Sequence, residues 1–256
     1  MLAERPAADE QPAWDQKEMS FTEHLRELRI RLLISIGTIT GIGILMFWPS
    51  EYIIPWLTRQ YFHGMQLHAF GPADVILTEF RFSIYAAIVI GLPVLLYQAW
   101  MFIVPAFAPR TRRAVYAYVA PSAILAAIGI AFAHFIVLPH VVFALIGVTN
   151  KLAVPTFGLE STLNFILIIL LVFALIFQTP IVMIALARIG LINSAMLRKS
   201  RRIALFGFFV IGGIAAPDGN PMTMAMIALP MYVLFEGSLW IISVLEKSWH
   251  AAAQAT

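Results

Sequence analysis

The sequence predicts an all-α integral membrane protein with six transmembrane helices, several of them kinked by proline, that form a concave bundle. Of its 256 residues, 61% are hydrophobic and only 12% are charged, about half the charged share of a typical soluble domain. A soluble chain of this length cannot bury so much apolar surface, so lipid must be the solvent for most of it. The charges are also segregated, which leaves long uncharged runs at 32–50, 82–109, 114–150, 161–187, 203–217 and 219–235.

Each run is assigned one helix, because about 20 apolar residues cross a hydrocarbon core of roughly 30 Å. The last two runs are short, but they could span a locally thinned bilayer. Clusters of Pro, Gly, Asn and Asp mark the breaks, as in WPSEYIIP (48–55), VPAFAPRTRR (104–113), NKLAVPTFG (150–158) and APDGNP (216–221). The predicted helices are therefore 29–48, 80–104, 114–138, 161–187, 202–216 and 222–243.

Proline is expected to shape four of these helices, at Pro93, Pro121, Pro180 and Pro230, and Pro139 is expected to close the third. Each interior proline removes one backbone hydrogen bond and tends to kink its helix. Kinked helices can enclose a concave, partly wet surface at membrane depth. For any single proline the alternative is that this residue is simply common in membrane helices.

Both ends of the chain lie outside the predicted membrane domain, which is assigned to residues 20–246. Residues 1–19 are polar and are expected to form a disordered cytosolic tail, and residues 247–256 a cytosolic C-terminal tail. No cleavable signal peptide is visible. The absence of cysteine excludes disulfides and cysteine metal sites.

The basic residues indicate the orientation of the helices. With a cytosolic N-terminus, fourteen of the seventeen Lys and Arg residues fall on the inside, and only Arg59, Arg81 and Lys151 fall outside. This asymmetry follows the positive-inside rule and predicts that both termini are cytosolic. The net charge of +3 therefore reports topology, and no basic–aromatic interleaving suggests a nucleic-acid partner.

Motifs for catalysis are missing from the sequence. There is no H-E-x-x-H, G-x-S-x-G or P-loop pattern, and no metal site or cofactor is predicted. His134 and His140 flank the end of the third span without a serine or carboxylate placed to pair with them, so they are interpreted as interfacial histidines. Among residues well inside a long span, Gln178 is the one that is strongly polar.

A scaffold or receptor that works by binding is the function these features favour. A small secondary transporter is the alternative, but it should show an internal repeat, and intramembrane ionisable residues that could couple to ions are nearly absent. An intramembrane hydrolase would need a nucleophile–base pair or a metal site, and neither is visible.

The stretch SFTEHLRELRIRLL, which leads into the first span, carries two glutamates with different predicted roles. Ser20 and Glu23 have the spacing of a capping box. Glu27 lies four residues before Arg31, so an intrahelical ion pair worth a few tenths of a kcal/mol is available. Glu27 also stands at the cytosolic rim of the membrane, where it could anchor a positively charged partner segment.

Several motifs resemble those of the TatC family, the multi-span subunit of the twin-arginine protein translocase. They occur in the family's order along most of the chain: EHLRELRIRLL (23–33), LPVLLYQAWMFIVPAF (92–107), FQTP (177–180), APD (216–218) and ALPMYVLFE (228–236). The six-span topology and the internal location of both termini are similar as well.

This resemblance implies a docking receptor in the bacterial cytoplasmic membrane that hydrolyses nothing and needs no cofactor. It would bind the twin-arginine signal peptides of folded proteins at its cytosolic face, in contact with membrane lipid. It would then recruit the single-span subunits TatA and TatB for export driven by the proton-motive force, within a homo-oligomeric translocase. The residues implied to form the signal-peptide site are Glu27, Leu28, Arg29, Arg31, Phe102 and Pro105.

Two positions depart from the family pattern. Thr111 stands where many members have a second glutamate in the first cytosolic loop, and Glu23 is the nearest acid that could replace it. Gln178 stands where many members have an intramembrane glutamate, and it avoids the roughly 2.5–3.5 kcal/mol insertion cost of a charge at a helix centre. A glutamine can still bond a neighbouring helix for about 0.6–2 kcal/mol, so partner-helix contact is expected at Gln178 and Pro180.

Overall fold

The computed structural model describes residues 21–62, 65–107, 112–152, 156–188, 190–215 and 221–254. Nearly all of these residues are helical, which confirms the predicted all-α fold. The helices are α1 (Phe21–Tyr61), α2 (Asp74–Phe107), α3 (Arg112–Phe132), α4 (Leu138–Leu152), α5 (Leu159–Ile176), α6 (Thr179–Arg188), α7 (Ser194–Ala215) and α8 (Pro221–Gln254). A π-helical turn, Ala133–Val137, joins α3 to α4, and two short strands are β1 (Leu67–His68) and β2 (Phe157–Gly158).

Five stretches of the described residues are long and apolar enough to cross a membrane: Thr22–Tyr61, Asp74–Phe102, Tyr118–Gly147, Leu159–Arg188 and Pro221–Lys247. The third joins α3, the π-turn and α4, and the fourth joins α5 and α6. Helix α7 is the sixth long helix, but its first half is charged. Its apolar part, 203–215, has a length of about 20 Å at 1.5 Å per residue, which is shorter than the roughly 30 Å hydrocarbon core.

Helix α1 extends well beyond its predicted end at residue 48. It continues through Pro49 and Pro55 to Tyr61, so the prediction of a break at WPSEYIIP was wrong. An interior proline costs about 3 kcal/mol, but the extension buries Ile54, Leu57 and Tyr61 in the main core. Each of these side chains contributes roughly 1.5–3 kcal/mol on burial, so tertiary packing outweighs the two breaks in the hydrogen-bond ladder.

The third helix also continues past its predicted end, because Pro139 does not close it. The backbone N–H of Leu138 donates to the carbonyl of Ala133, five residues earlier, and α4 then runs to Leu152. A wider π-turn moves the backbone carbonyls of the preceding turn away from the proline ring, which would clash with one of them in a regular α-helix. The proline is therefore accommodated by a local change of helix type.

The fourth predicted helix, 161–187, is divided in two at Phe177 and Gln178, just before Pro180. Pro180 has no N–H, so the carbonyl of Ile176 loses its α-helical donor. The Thr179 hydroxyl donates to that carbonyl at 2.6 Å. This local substitution satisfies the freed group, and the chain continues as α6 at membrane depth.

Helices α1, α2, α7 and α8 extend beyond their predicted bounds into polar segments, and α1 begins at Phe21, eight residues before its predicted start. Helix α2 begins at Asp74, whose carboxylate accepts hydrogen bonds from the backbone N–H groups of Phe70 (2.7 Å) and Gly71 (2.8 Å). Helix α7 begins eight residues earlier than predicted, where the Asn193 side chain caps the N–H of Met196 at 2.8 Å. Helix α8 continues past 243 to Gln254.

One end of the bundle carries most of the described arginines, and we call it the arginine-rich end. There α1, α3 and α7 begin and α2, α6 and α8 end. The contacts that join helices at this end include Arg31 with Gln98 (2.9 Å), Arg188 with Tyr118 (3.4 Å), and the N–H of Ser194 with the Glu246 carboxylate (2.8 Å).

The opposite end, which we call the strand end, is closed by a parallel bridge that the sequence did not predict. Leu67 pairs with Phe157 and His68 with Gly158. Phe70 covers Gly158 so closely that a Cβ there would lie 2.8 Å from the Phe70 ring. A larger residue at this position would therefore require the exposed Phe70 side chain to move. The bridge joins the segment after α1 to the segment before α5.

The core is densest around α5. Leu163, Ile166 and Phe173 are almost fully buried there, against the second half of α1, α2, α3 and α4. The most apolar part of α1 has none of its residues buried within the chain. A 570 Å³ apolar cavity opens between α1, α2, α3 and α5, with Trp56 and Leu167 in its wall.

Candidate functional site

At the arginine-rich end, two neighbouring helices are joined through the side chain of Arg31. Its Nη2 lies 3.1 Å from Glu27 Oε1, which confirms the predicted ion pair within α1. Its Nη1 donates to Gln98 Oε1 of α2 at 2.9 Å. One guanidinium therefore fixes the Glu27 carboxylate and attaches the start of α1 to the end of α2.

The Glu27 carboxylate is only half satisfied. Its second oxygen, Oε2, is buried and has no hydrogen-bond partner among the described residues, and the same is true of the Nε of Arg31. The Glu27 side chain is 15% exposed. A buried polar atom without a partner costs about 1–3 kcal/mol, so a ligand that brings a donor to Oε2 would recover that free energy.

An aromatic contact lies beside this carboxylate. The rings of His24 and Phe102 stack with their centroids 4.3 Å apart and their planes 17° apart. Leu28 is 41% exposed, and Arg29 is also exposed on the surface of α1. The structure thus brings Glu27, Arg31 and Phe102 together at one rim and leaves an apolar and a cationic side chain available nearby.

The remaining predicted residues of this rim are less completely described. Glu23 lies in the exposed first turn of α1. Pro105 lies within the last turn of α2. Thr111 and Ser20 lie outside the described residues, so the capping box and the role of Thr111 remain predictions.

Gln178 is buried, with 3% of its surface exposed, at the break between α5 and α6. Its Oε1 accepts from the Ser122 hydroxyl at 2.9 Å, and its Nε2 donates to the carbonyls of Ser122 and Ala174, both at 3.2 Å. The amide therefore joins α3 to α5 inside this chain. Pro180 is buried beside it, and contact of these two residues with a partner subunit remains a prediction.

Two polar features were missed by the sequence analysis. Gln98 could have been noticed as a buried amide in the uncharged run 82–109. His134, interpreted as interfacial, is only 8% exposed; the Tyr61 hydroxyl hydrogen-bonds its Nδ1, and Trp56 stacks on its ring at 5.5 Å. The pair joins residues far apart in the chain, so no local pattern could have indicated it.

Comparisons with known proteins agree with this arrangement. Residues 23–230 match the family model of the Sec-independent protein translocase protein TatC. TatC of Aquifex aeolicus is 34% identical over 229 residues, which cover 87% of this chain and 94% of the relative. TatCy of Bacillus subtilis is 30% identical over 226 residues, which cover 88% of this chain and 89% of the relative.

Two crystal structures of the twin arginine translocase receptor TatC share the fold. Each is 32% identical in sequence, with TM-scores of 0.74 and 0.77. The matches cover 87% and 86% of this chain and 99% of each solved chain. Sequence and fold therefore agree, and the chain belongs to the TatC family of Sec-independent protein translocase proteins.

Proposed function

We propose that this chain is the receptor subunit of a twin-arginine translocase and binds twin-arginine signal peptides at its arginine-rich end. The half-satisfied Glu27 carboxylate is the observation that carries the proposal. It offers a buried acceptor oxygen at a rim where Leu28 is exposed to receive apolar residues of a peptide. Related proteins whose structures are solved are described as twin arginine translocase receptors, which supports the same role.

The chemistry of the rim favours arginine over lysine in the peptide. A planar guanidinium can approach a partly desolvated carboxylate with directed, charge-assisted hydrogen bonds worth roughly 1.5–3 kcal/mol. Arg29 and Arg31 surround Glu27 with positive charge, which opposes any cation that lacks such directed bonds. A lysine ammonium is a strongly hydrated point charge and lacks the planar, forked arrangement of N–H donors of a guanidinium. We therefore expect the rim to bind lysine more weakly than arginine.

The test is binding of a labelled signal peptide to the detergent-solubilised protein, measured by fluorescence anisotropy. Glu27→Gln keeps the shape of the side chain and removes its charge. It should weaken binding of an Arg-Arg peptide by about tenfold, the equivalent of 1.4 kcal/mol. A Lys-Lys peptide should bind weakly to both proteins.

A matched control is Glu160→Gln. Glu160 is paired with Arg81 at 2.6 Å near the strand end, so its neutralisation should leave peptide binding unchanged. Equal binding of the Arg-Arg peptide by Glu27→Gln and the wild type would place the recognition site elsewhere and refute the proposal.

We also propose that the chain recruits single-span TatA- and TatB-type subunits, assembles with further copies of itself, and acts by binding without catalysis. The family resemblance supports these partners and export driven by the proton-motive force. Because the Gln178 amide is bonded within its own chain, a partner helix at this level would meet exposed apolar neighbours such as Leu175, which is 47% exposed.

The orientation is proposed from the distribution of charge: a bacterial cytoplasmic membrane protein with the arginine-rich end and both termini in the cytoplasm. Reporter fusions after Arg112 and after Thr256 should therefore read as cytosolic. Fusions near His63 and Lys151 should read as external. A C-terminal fusion that reads as external would contradict the six-span topology.

A further inference from the structure

A cavity with several charged and polar side chains in its lining lies at the strand end, away from Glu27. It has a volume of about 440 Å³, within the usual range of roughly 300–1,000 Å³ for ligand sites. The end of α1, the start of α2 and the residues around the β1–β2 bridge enclose it. Most of its lining is apolar, and its polar side chains are Glu51, Thr58, Arg59, Thr78 and Glu79.

The cavity lies at one boundary of the membrane. Glu51 follows Arg31 by a helical length of about 30 Å, which matches the thickness of the hydrocarbon core. Trp48, Tyr52 and Trp56 recur once per turn on α1 and are 72%, 74% and 58% exposed. Exposed aromatic residues of this kind mark the level of lipid headgroups.

One wall of the cavity carries an unused hydrogen-bonding group. Thr78 is only 2% exposed, and its hydroxyl has no hydrogen-bond partner within the part of the chain that the structure describes. Threonine in a helix commonly bonds a carbonyl of the preceding turn, as Thr58 does at 2.9 Å. Because no such bond is formed by Thr78 among the described residues, this residue of the cavity wall carries a buried hydroxyl with unused hydrogen-bonding capacity.

The charged groups of the lining have both signs. Glu51 and Glu79 are carboxylates, and Arg59 is a cation. The ion pairs seen among the described residues join Glu27 with Arg31, Arg81 with Glu160 and Arg201 with Glu236, so none of them uses these three groups. The cavity therefore presents acceptors for a cation together with donors for an anion.

We propose that this cavity binds the headgroup of a phospholipid that carries both a primary ammonium and a phosphate, as phosphatidylethanolamine does. The ammonium has three N–H donors for the Glu51 and Glu79 carboxylates. The phosphate accepts hydrogen bonds from the Arg59 guanidinium and the Thr78 hydroxyl. The apolar remainder of the lining packs against the glycerol and the first methylenes of the acyl chains.

The same complementarity distinguishes this lipid from others. Phosphatidylcholine has a quaternary ammonium without N–H donors, so it cannot satisfy the two carboxylates. Phosphatidylglycerol has no cation and would place a net negative headgroup beside them. A lone basic side chain from a protein partner would leave Arg59 and Thr78 without an acceptor.

The experiment is native mass spectrometry of the full chain released from detergent micelles doped with one lipid at a time. The wild type should retain phosphatidylethanolamine at least about threefold more than phosphatidylcholine or phosphatidylglycerol. Thr78→Val, which keeps the shape of the side chain, and Glu79→Gln should each remove most of this preference. Glu236→Gln, a carboxylate neutralised outside the cavity and paired with Arg201, is the matched control and should retain it.

Four results would overturn the proposal. Equal retention of the three lipids would show that the cavity does not discriminate between their headgroups. Unchanged preference in both Thr78→Val and Glu79→Gln would place the lipid elsewhere. Displacement of the lipid by micromolar soluble phosphoethanolamine would show that the cavity binds a free ligand. If the variants lost co-purified partner subunits but kept the lipid, the cavity would be a protein contact.

Discussion

Gly129→Leu should prevent the bundle from reaching its folded state. Gly129 is buried where α3 crosses α5. A Cβ at this position would lie 2.6 Å from the carbonyl oxygen of Phe173 and 2.9 Å from Cγ of Phe177. A backbone oxygen cannot move aside without moving α5, and overpacking of this kind costs about 1–3 kcal/mol even for small additions.

The measurement is thermal unfolding of the purified protein in detergent, followed by intrinsic tryptophan fluorescence, together with the monodisperse yield on gel filtration. Gly129→Ala should lower the midpoint by roughly 5 °C, given 2–4 °C per kcal/mol for a domain of this size. Gly129→Leu should give little monodisperse protein. Gly147→Leu is the control, because nothing lies within 4 Å of a Cβ there; equal behaviour of the two leucine variants would refute the steric argument.

Gln178→Leu should lower the free energy of unfolding by about 1–2 kcal/mol. It removes two hydrogen bonds between Gln178 and Ser122 of α3 and one to the carbonyl of Ala174 in α5, and it leaves the Ser122 hydroxyl without its acceptor. Hydrogen bonds between membrane helices contribute about 0.6 kcal/mol on average and at most about 1.7 kcal/mol, so the expected loss of stability is limited to this range per bond. Gln60→Leu, an exposed glutamine on α1, should change stability much less.

A double-mutant cycle with Ser122→Ala separates the bond from general packing. The two substitutions together should cost less than the sum of the single changes, because each alone leaves a partner unsatisfied. Additive costs would show that the two side chains do not stabilise each other. Co-purification of TatA- and TatB-type subunits with Gln178→Leu tests the separate proposal of a partner contact: recovery at the wild-type level would show that the amide serves only this chain.

The existence of the membrane helices could be predicted from the uncharged runs, but their ends could not. Proline was treated as a terminator at Pro49 and Pro139, whereas packing of Ile54 and Leu57 and a π-turn at Ala133–Val137 carry the helix through. These compensations depend on residues that meet only in three dimensions. Local sequence signals report the cost of a proline and contain no information about the packing that offsets it.

The candidate site was predictable to a similar extent. The Glu27–Arg31 pair follows from helical spacing alone, and Phe102 was placed beside it through the family resemblance. The second contact of Arg31, to Gln98, depends on how α2 returns to the start of α1, which spacing within one helix cannot show. The same holds for Ser122 and Gln178, which lie on different helices.

The bridge between Leu67 and Phe157 constrains the order in which the protein can assemble. The second strand is synthesised about 90 residues after the first, which takes roughly 5–20 s at 5–20 residues per second. During that interval α1 and α2 can already lie in the membrane as a hairpin, but the backbone groups of Leu67 and His68 have no strand to pair with. Closure of this end is therefore a late step of biogenesis, and the nascent chain presents an open strand edge until α5 begins to emerge.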